Sequence, residues 1–369
     1  MSGEPSVTVA SVTSRLDAYL ERAELEAVWF ARPANFAWLT GGDNVVDEAG
    51  DIGVAAAGYD GERVTVVTDS IEAPRLRAEE LADSVTIRTF PWHETTLPAA
   101  VSEVSPRPAA ADFGIAGFGT VDAGPLRRPL TDRQCERYRA LGEEVAAAVE
   151  SVARGARATD SEREVAARLR RELSKAGIAG PVVLVGGEKR AQRYRHYTPT
   201  AASLGGYALL SVTAERGGLH TSCTRTVAFD PPSWLRERTR KAMRVETTAL
   251  AATRRVGRES GTAGDVFAAV RRAYDAVGWA GEWREHHQGG ATGYAGREWI
   301  GTPGDDTPVD HPQGYAWNPT IQGAKSEDTH LVTTDGVELL SGTGEWPTKT
   351  VAAVGHDVEL PRHGVLERP

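Results

Sequence analysis

The sequence predicts a mixed α/β protein with two domains, and three observations lead to that prediction. Helix-like and strand-like patterns alternate through the first ~130 residues. The run PLRRP at positions 125–129 then interrupts the alternation, as a linker would. Beyond it, long amphipathic helical patterns alternate with strand patterns. With 369 residues the chain is long enough for two hydrophobic cores, so we place the domains at residues 1–129 and 130–369.

The first domain is predicted to be a small α/β unit. Apolar residues at helical spacing indicate a helix over Val12–Ala23. Pro33, Ala34 and Asn35 indicate a turn, and glycines interrupt the pattern over residues 112–119. Apolar or alternating runs predict four strands, at Leu25–Ala31, Trp38–Gly42, Arg63–Thr68 and Ser84–Thr89.

The second domain is predicted to begin with two helices. Thr131 or Asp132 is the expected N-cap of the first. The second starts at Asp160 or Ser161, has Glu164 in the capping-box position and ends at Gly177. The same patterns predict helices at Trp234–Val256 and Ala263–Val277, strands at Pro181–Val185, Tyr207–Thr213 and Thr226–Phe229, and a hairpin formed by Leu331–Thr333 and Val337–Leu340.

Composition narrows the class of protein. A net charge of −9 and a pI near 5.6 argue against nucleic-acid binding, whose electrostatic footprint is usually basic. No apolar run approaches the roughly 18 residues that span a bilayer, and the N-terminal sequence lacks the pattern of a signal peptide. The two cysteines, Cys135 and Cys223, form no framework of disulfides. We therefore expect a cytoplasmic protein without membrane or nucleic-acid partners.

The segment EHHQGGATGY at 285–294 is the most informative motif. It places His286 and His287, side chains that titrate near neutral pH and bind metals, directly before a glycine-rich turn that allows close backbone approach. Three further segments contain candidate functional residues: RHYTP with His196, the TRT run at 224–226 and the KSEDT run at 325–329.

These four blocks, in this order, resemble the active-site blocks of the pita-bread family, which includes aminopeptidase P, prolidase, methionine aminopeptidase and creatinase. The segment EAVWFARPANFAWLTGG is similar to the N-terminal domain of the two-domain members, so the resemblance covers nearly the whole chain. It implies a creatinase-like N-terminal domain, a pita-bread catalytic domain and hydrolase activity. It also implies a homodimer, because members of this fold often form dimers.

The peptidases of this family bind two divalent metal ions through two aspartates, a histidine and two glutamates. By resemblance these positions fall on Ser211, Ser222, His287, Asn318 and Glu327, so three of the five ligands are neutral here. Hydroxyl and amide groups are poor substitutes for carboxylates around paired cations. We therefore expect no metal cofactor; the alternative is a single divalent ion such as Mn²⁺, Zn²⁺ or Co²⁺. Creatinase, which also lacks the metal ligands, is the relevant precedent.

We expect three catalytic residues. His196 is the predicted acid/base, and Glu327 is the predicted base, with a pKa raised by burial. His287 is expected to bind substrate or transfer a proton. The alternatives are a surface role for His196 and a salt bridge of Glu327 with Arg225 or Lys325. The predicted substrate-binding residues are Tyr294, Asn318, Arg193, Arg195, Ser211, Ser222, His286, Arg225, Glu298 and Lys325.

Several of these candidates have ordinary structural explanations. His286 is more readily explained by a structural role, whereas packing explains Tyr294 equally well and a structural ion pair explains Glu298 at least as well as a role in the pocket. Lys325 would occupy part of the volume that a metal ion fills in the relatives, unless it is simply exposed. Arg193 or Arg195 would clamp a substrate carboxylate through paired hydrogen bonds, unless both belong to a solvated surface.

The sequence leaves three hypotheses for function. The first is a metal-independent, creatinase-like hydrolase, or a lyase, that acts on a C–N bond of a small polar molecule. The second is a metallopeptidase of the aminopeptidase P or prolidase type that acts on short peptides with a reduced metal site. The third is a catalytically inactive binding module, which turnover of any small amide would exclude.

Overall fold

The computed structural model describes residues 6–368. The chain divides into two compact units, of which the first ends at Arg133 and the second begins at Gln134. The domain boundary predicted after residue 129 therefore lies within the first unit, in the loop close to its end. Within residues 6–368, no helix combines the length and the apolar character that crossing a bilayer requires.

The first unit is built around one mixed sheet of six strands. Its helices are α1 (Ser6–Ala23), α2 (Pro33–Thr40), α3 (Ala73–Arg75, continued by a π-helical turn at Leu76–Glu80), α4 (Leu97–Val104) and α5 (Gly124–Arg127). Its strands are β1 (Ala27–Phe30), β2 (Ala55–Tyr59), β3 (Val64–Asp69), β4 (Thr86–Phe90), β5 (Ala109–Ala111) and β6 (Gly119–Thr120). The strand order is β4-β3-β2-β1-β5-β6, so the predicted strands that became β1, β3 and β4 belong to one sheet.

The predicted strand Trp38–Gly42 is wrong, because this segment ends helix α2. Pro33 occupies the first turn of that helix, where its missing N–H has no intrahelical partner to lose. Gly41 ends it in the left-handed conformation, at φ 81°, and its N–H donates to the Ala37 carbonyl. Most of the helix is buried, so its sequence shows no polar face, and a short apolar run of this kind does not distinguish helix from strand.

The second unit contains five helices and twelve strands among the described residues. The helices are α6 (Asp132–Gly155), α7 (Glu162–Lys175), α8 (Glu188–Ala191), α9 (Leu235–Arg258) and α10 (Ala263–Ala276), and a 3₁₀ turn follows at Glu282–Glu285. The strands are β7 (Ala179–Gly187), β8 (Tyr207–Arg216), β9 (Leu219–Ala228), β10 (Gly289–Thr292), β11 (Gln313–Trp317), β12 (Thr320–Ile321), β13 (Ala324–Lys325), β14 (Asp328–Val332), β15 (Val337–Leu339), β16 (Thr348–Ala352), β17 (Glu359–His363) and β18 (Val365–Glu367).

The helix boundaries of the second unit follow the sequence signals closely. Ser161 caps α7 and forms a reciprocal capping box with Glu164, as predicted. Gly177, at φ 65°, follows the end of that helix. Helices α9 and α10 pack on one another and on β11 through buried residues that include Leu250, Val270 and Trp317. This core supports the sheet that carries the candidate site.

Two sheets meet at the strands that position polar side chains. One has the order β18-β9-β8-β7 and the other β10-β11-β14-β15. Strands β8 and β9 are antiparallel, with Ser211 opposite Thr224. Hydrogen bonds tie β9 to the start of β14: the Thr224 N–H donates to the Glu327 carbonyl at 2.9 Å, and the Ser222 N–H donates to Thr329 Oγ1 at 2.8 Å. The TRT and EDT runs therefore lie side by side.

Candidate active site

One face of strands β8 and β9 carries a row of hydroxyl groups. Side chains of a strand alternate between faces, so Ser222 and Thr224 lie on one side of β9 and Cys223 lies on the other. Thr224 shares a hydrogen bond with Ser211 at 2.8 Å, and Ser222 shares one with Thr213 at 2.8 Å. The two serines at the aspartate positions of the resemblance are therefore already engaged by neighbouring hydroxyls.

The buried carboxylate of Glu327 faces this row and contacts two cationic side chains. Its Oε2 accepts from Lys325 Nζ at 2.8 Å and from Thr224 Oγ1 at 2.7 Å, and its Oε1 accepts from Arg297 Nη2 at 3.1 Å. Burial pushes the pKa of Glu327 up, but Lys325 and Arg297 outweigh that effect and hold the pKa below its ordinary value. The expected rise in pKa is wrong, because two cations surround the carboxylate.

Arg297 belongs to the site although the sequence analysis did not select it. Besides Glu327, its guanidinium contacts Ser222, donating from Nη1 to Oγ at 3.2 Å. It thus joins two positions that resemble metal ligands. Arg297 lies three residues after the glycine-rich block 285–294 and next to the predicted candidate Glu298. The sequence analysis predicted a cation in place of a metal ion only at Lys325, and nothing in the local sequence shows that Arg297 reaches the same carboxylate.

A chain of hydroxyl groups leads from Tyr197 to Glu327. Thr224 donates its only hydroxyl hydrogen to the carboxylate, so Ser211 must donate to Thr224, and Tyr197 must donate to Ser211 across 2.8 Å. Burial raises the pKa of the Tyr197 hydroxyl, which therefore stays protonated. The hydrogen of each of the three hydroxyl groups is therefore committed to the next acceptor along the chain, which ends at Glu327.

The residues at this site do not fit the two-metal centre of the peptidases. Ser211, Ser222 and Asn318 are neutral, and the two hydroxyl groups already have hydrogen-bond partners. The remaining carboxylate, Glu327, is neutralised by Lys325 and Arg297. Two bound dications would need several free carboxylates, and here they would meet two positive side chains instead. Lys325 is buried beside Glu327, so it is not an exposed lysine; that it takes part of the cation volume stays a prediction.

Three histidines lie together near these cations. Nε2 of His196 is 3.1 Å from Nε2 of His286, and the ring centroids of His286 and His287 are 4.4 Å apart. Burial, with smaller contributions from nearby cations, lowers the pKa of all three, to about 4 for His287. All three imidazoles are therefore neutral at pH 7. The structure brings His196 and His287 together as candidates, and the buried His286 joins them.

Other predicted substrate-binding residues differ in their surroundings. Asn318 is 3 % exposed, and its Oδ1 has no hydrogen-bond partner among the described residues. Arg195 pairs with Glu282 at 2.5 Å, whereas Arg193 is exposed at the surface. Tyr294 is buried and Glu298 is half-buried. The structure therefore presents Asn318 as an acceptor, and it gives Arg195 a partner within the protein.

The prediction that Arg225 binds substrate is wrong. The Arg225 side chain is fully buried and extends from the face of β9 opposite to Thr224. It forms ion pairs with Glu150 at 2.9 Å and with Asp328 at 2.9 Å, and it donates to the Ser341 carbonyl. Arg225 is therefore part of a buried ion network and not of the candidate site.

A first domain with one six-stranded mixed sheet, followed by a domain whose β8–β9 hairpin faces the glycine-rich and EDT blocks, defines the class of two-domain pita-bread proteins. Residues 136–334 match metallopeptidase family M24, which is more than half of the chain, and the chain belongs to that family. The mixed α/β class and the family resemblance predicted from the sequence are thereby confirmed. No curated protein sequence matches the chain.

Solved structures share this fold at low sequence identity. The prolidase from Pyrococcus horikoshii OT3 has a TM-score of 0.74 and 17 % identity, over 90 % of this chain and 98 % of that one. Dipeptidase PepE from Mycobacterium ulcerans has a TM-score of 0.69 and 18 % identity, over 99 % of each chain. The N-terminal domain of FACT complex subunit SPT16 from chickpea has a TM-score of 0.66 and 10 % identity, over 91 % of this chain and 97 % of that one.

Proposed function

We propose that the protein is a metal-independent hydrolase that cleaves a C–N bond of the amide or amidine type in a small polar molecule. The observation that carries this proposal is the contact of Lys325 and Arg297 with Glu327 at the place where the peptidases have metal ligands. Side-chain cations there supply the positive charge that metal ions supply in the relatives. Such charge stabilises the negative oxygen that develops when water attacks a carbonyl or amidine carbon.

The charge balance of the site favours an anionic substrate. Lys325 and Arg297 provide two positive charges against the single negative charge of Glu327, and the three neighbouring histidines are neutral. A substrate carboxylate would restore neutrality. The unpartnered Oδ1 of Asn318 would accept a hydrogen bond from an N–H group of the substrate. These two features together favour a small molecule that carries both a carboxylate and an amide or amidine nitrogen.

Proton transfer falls to the histidines and not to Glu327. His196 is neutral at pH 7, so it can take a proton from the attacking water and return it to the leaving nitrogen as the C–N bond breaks. His286 lies within hydrogen-bond distance of His196 and would orient its ring, and His287 would contact the substrate. Glu327 holds Lys325 and Arg297 in place, a role that differs from the base predicted from the sequence.

The two other hypotheses make different demands on the same site. A peptidase acting on short peptides, as the names of the prolidase and dipeptidase structures describe those proteins, would need at least one metal ion. An inactive binding module would need no proton transfer at all. We propose the small-molecule hydrolase first because the site retains neutral imidazoles beside an electropositive pair. A homodimer remains part of the proposal through the family resemblance.

The test is an assay of the full-length protein in the presence of a strong chelator. The substrates are N-acyl, N-carbamoyl and guanidino derivatives of amino acids, and the product amine or ammonia is measured. We expect turnover that the chelator does not reduce. His196→Gln should lower kcat by about 10²–10⁴-fold, the usual contribution of a general acid–base. His356→Gln, a histidine elsewhere in the second unit, is the matched control and should retain full activity.

Two outcomes would contradict the proposal. Hydrolysis of dipeptides with proline in the second position only after addition of Mn²⁺ or Co²⁺ would favour the metallopeptidase. Failure to cleave any of these compounds, with tight binding of one of them, would favour the binding module.

A further inference from the structure

The cluster of His196, His286 and His287 has the composition of a metal site that differs from that of the family. One ligand atom from each histidine can be chosen so that all three lie within 4.8 Å of one another. By the resemblance, only His287 occupies a family ligand position. His196 and His286 add two imidazoles that the two-metal centre does not use. The cluster is therefore a distinct donor set and not a remnant of the old one.

The distances approach those of tetrahedral coordination. Zinc binds imidazole nitrogen at about 2.0–2.1 Å, which places neighbouring ligands of a tetrahedron about 3.3 Å apart. The Nε2 atoms of His196 and His286 are already 3.1 Å apart. The ligand atom of His287 lies within the same 4.8 Å limit, and His196 and His287 are exposed, so rotation of their rings would bring the set to tetrahedral spacing. Three ligands leave the fourth position for water or a substrate group.

The donor set favours a cation of the zinc class, because all three candidate ligands are imidazole rings. When His286 Nε2 is the ligand, its Nδ1 carries the proton; that nitrogen is buried without a hydrogen-bond partner among residues 6–368, so no contact there requires the other tautomer. Imidazole alone suits Zn²⁺, Cu²⁺ or Ni²⁺ and not Mn²⁺ or Mg²⁺, which prefer oxygen donors. The positive charges of Lys325, Arg297 and Arg195 oppose the ion and limit its affinity.

We propose that His196, His286 and His287 bind one ion of the zinc class in a mononuclear site. The ion would occupy ring nitrogens that the proposed hydrolysis needs for proton transfer. Bound metal would therefore inhibit turnover, and a chelator would restore it. This consequence for activity rests on the proposed function, whereas binding of the ion does not.

The test measures metal binding by the full-length protein without reference to activity. Apo-protein is titrated with Zn²⁺ against a chromophoric chelator, and with Co²⁺ while the visible absorption of tetrahedral cobalt is recorded. We expect one ion per chain. His196→Ala and His287→Ala should each weaken binding by more than about a hundredfold, since loss of even an outer-shell partner costs about 10–100-fold. Lys325→Met should strengthen binding, because it removes the opposing charge.

Matched controls separate this site from other places where ions bind. His93→Ala, in the first unit, and Asn318→Ala, at a family ligand position, should leave Zn²⁺ binding unchanged. His286→Ala removes the third ligand. Because the His286 ring is buried, this variant can fail to fold, and the variants of His196 and His287 then decide the result. Absence of stoichiometric binding, or binding that persists in both His196→Ala and His287→Ala, would overturn the inference.

The proposed hydrolase and the proposed metal site can be refuted independently of each other. Zinc bound by the three histidines, with no hydrolysis in either metal state, would keep the metal site and remove the proposed hydrolase. Chelator-resistant hydrolysis without zinc binding would keep the hydrolase and remove the metal site. Zinc that activates hydrolysis would overturn the inhibitory role and favour a mononuclear metallohydrolase.

Discussion

Two clusters of charge lie on opposite faces of the same strands, and they differ in what surrounds them. On one face, Glu327 meets Lys325 and Arg297 beside the partly exposed histidines. On the other, Asp328 and Arg225 belong to a fully buried network. That network continues through Arg362, which pairs with Asp328 at 3.2 Å and with Glu246 at 2.9 Å. Alternate residues of the TRT and EDT runs therefore serve different purposes.

The difference between the two faces explains which residues of the family motifs the chain keeps. Thr224 and Glu327 face the site, where the ligand positions around them have changed. Arg225 and Asp328 face the core, where each charged group has several hydrogen-bonded partners. Removing one partner from such a network leaves a buried charge uncompensated, which is costly. The core side is thus tied to folding, whereas the site side is free to change its chemistry.

The largest expected effect comes from breaking the buried network. Arg225→Ala should lower the free energy of unfolding of the second unit by about 3–5 kcal/mol, because it leaves Glu150 and Asp328 without their shared cation. The measurement is urea denaturation followed by tryptophan fluorescence. Arg193→Ala, an exposed arginine, is the matched control and should change stability by less than about 0.5 kcal/mol. Equal free energies of unfolding for the two variants would contradict the claim that the core face is tied to folding.

A smaller effect is expected from neutralising a cation of the site. Lys325→Met removes a charge-assisted hydrogen bond to Glu327, so the carboxylate loses one of its two cations. If Lys325 binds the substrate anion, KM should rise by about 10–100-fold, the equivalent of roughly 1.5–3 kcal/mol for a hydrogen bond to a charged group. Steady-state kinetics on a substrate with and without its carboxylate measures this. An equal loss for both substrates would refute anion recognition.

The two faces should also differ in their response to acid. The pKa of Asp328 lies far below its ordinary value because His363, Arg225 and Arg362 together outweigh the effect of burial. A depressed carboxylate pKa stabilises the folded state above the unfolded pKa of about 3.9, and that contribution is lost as the pH falls below it. The unfolding free energy of the unmodified protein should therefore fall as the pH drops from about 4 to about 2; Glu246 in the same network, whose pKa burial raises to about 7, gains its proton above that range. Asp328→Asn should already be less stable at pH 6, and its free energy of unfolding should fall less as the pH drops. An unchanged dependence on pH would contradict the stabilising role of the Asp328 carboxylate.

The smallest effect is expected at Cys223. Its thiol is buried on the face of β9 that points away from Ser222, and burial raises its pKa to about 12. Cys223→Ala should therefore leave kcat unchanged and lower stability by only about 1 kcal/mol. Inactivation of the unmodified protein by a thiol reagent under native conditions, absent in the variant, would show that this face is open to the site.

The sequence predicted the fold better than it predicted the details of the site. The capping box of Ser161 and Glu164 could be predicted directly, because it depends on residues close together in sequence. The same holds for the order of the four motifs. Helix α2 could not be predicted in this way, because a helix that is mostly buried shows no amphipathic pattern. The lowered pKa of Glu327 depends first on Lys325, two residues away, and then on Arg297, thirty residues away along the chain, which only the fold brings to the carboxylate.

Strand alternation places Cys223 on the face opposite Ser222, and it places Arg225 on the face opposite Thr224. The prediction for Arg225 rested on its charge and on its place in the TRT run, whereas its position in β9 directs it into the core. The histidine cluster was only partly foreseen, since nothing in the spacing of His196 and His286 predicts a 3.1 Å contact.

The central claim is that side-chain cations have replaced the two metal ions of the family. The most direct test is elemental analysis of the purified protein after dialysis against Mn²⁺ and then against metal-free buffer. Manganese is informative because it needs the oxygen ligands that this site has lost. We predict near-zero retained manganese, both in the unmodified protein and in His287→Ala. Two tightly held manganese ions per chain would contradict the account.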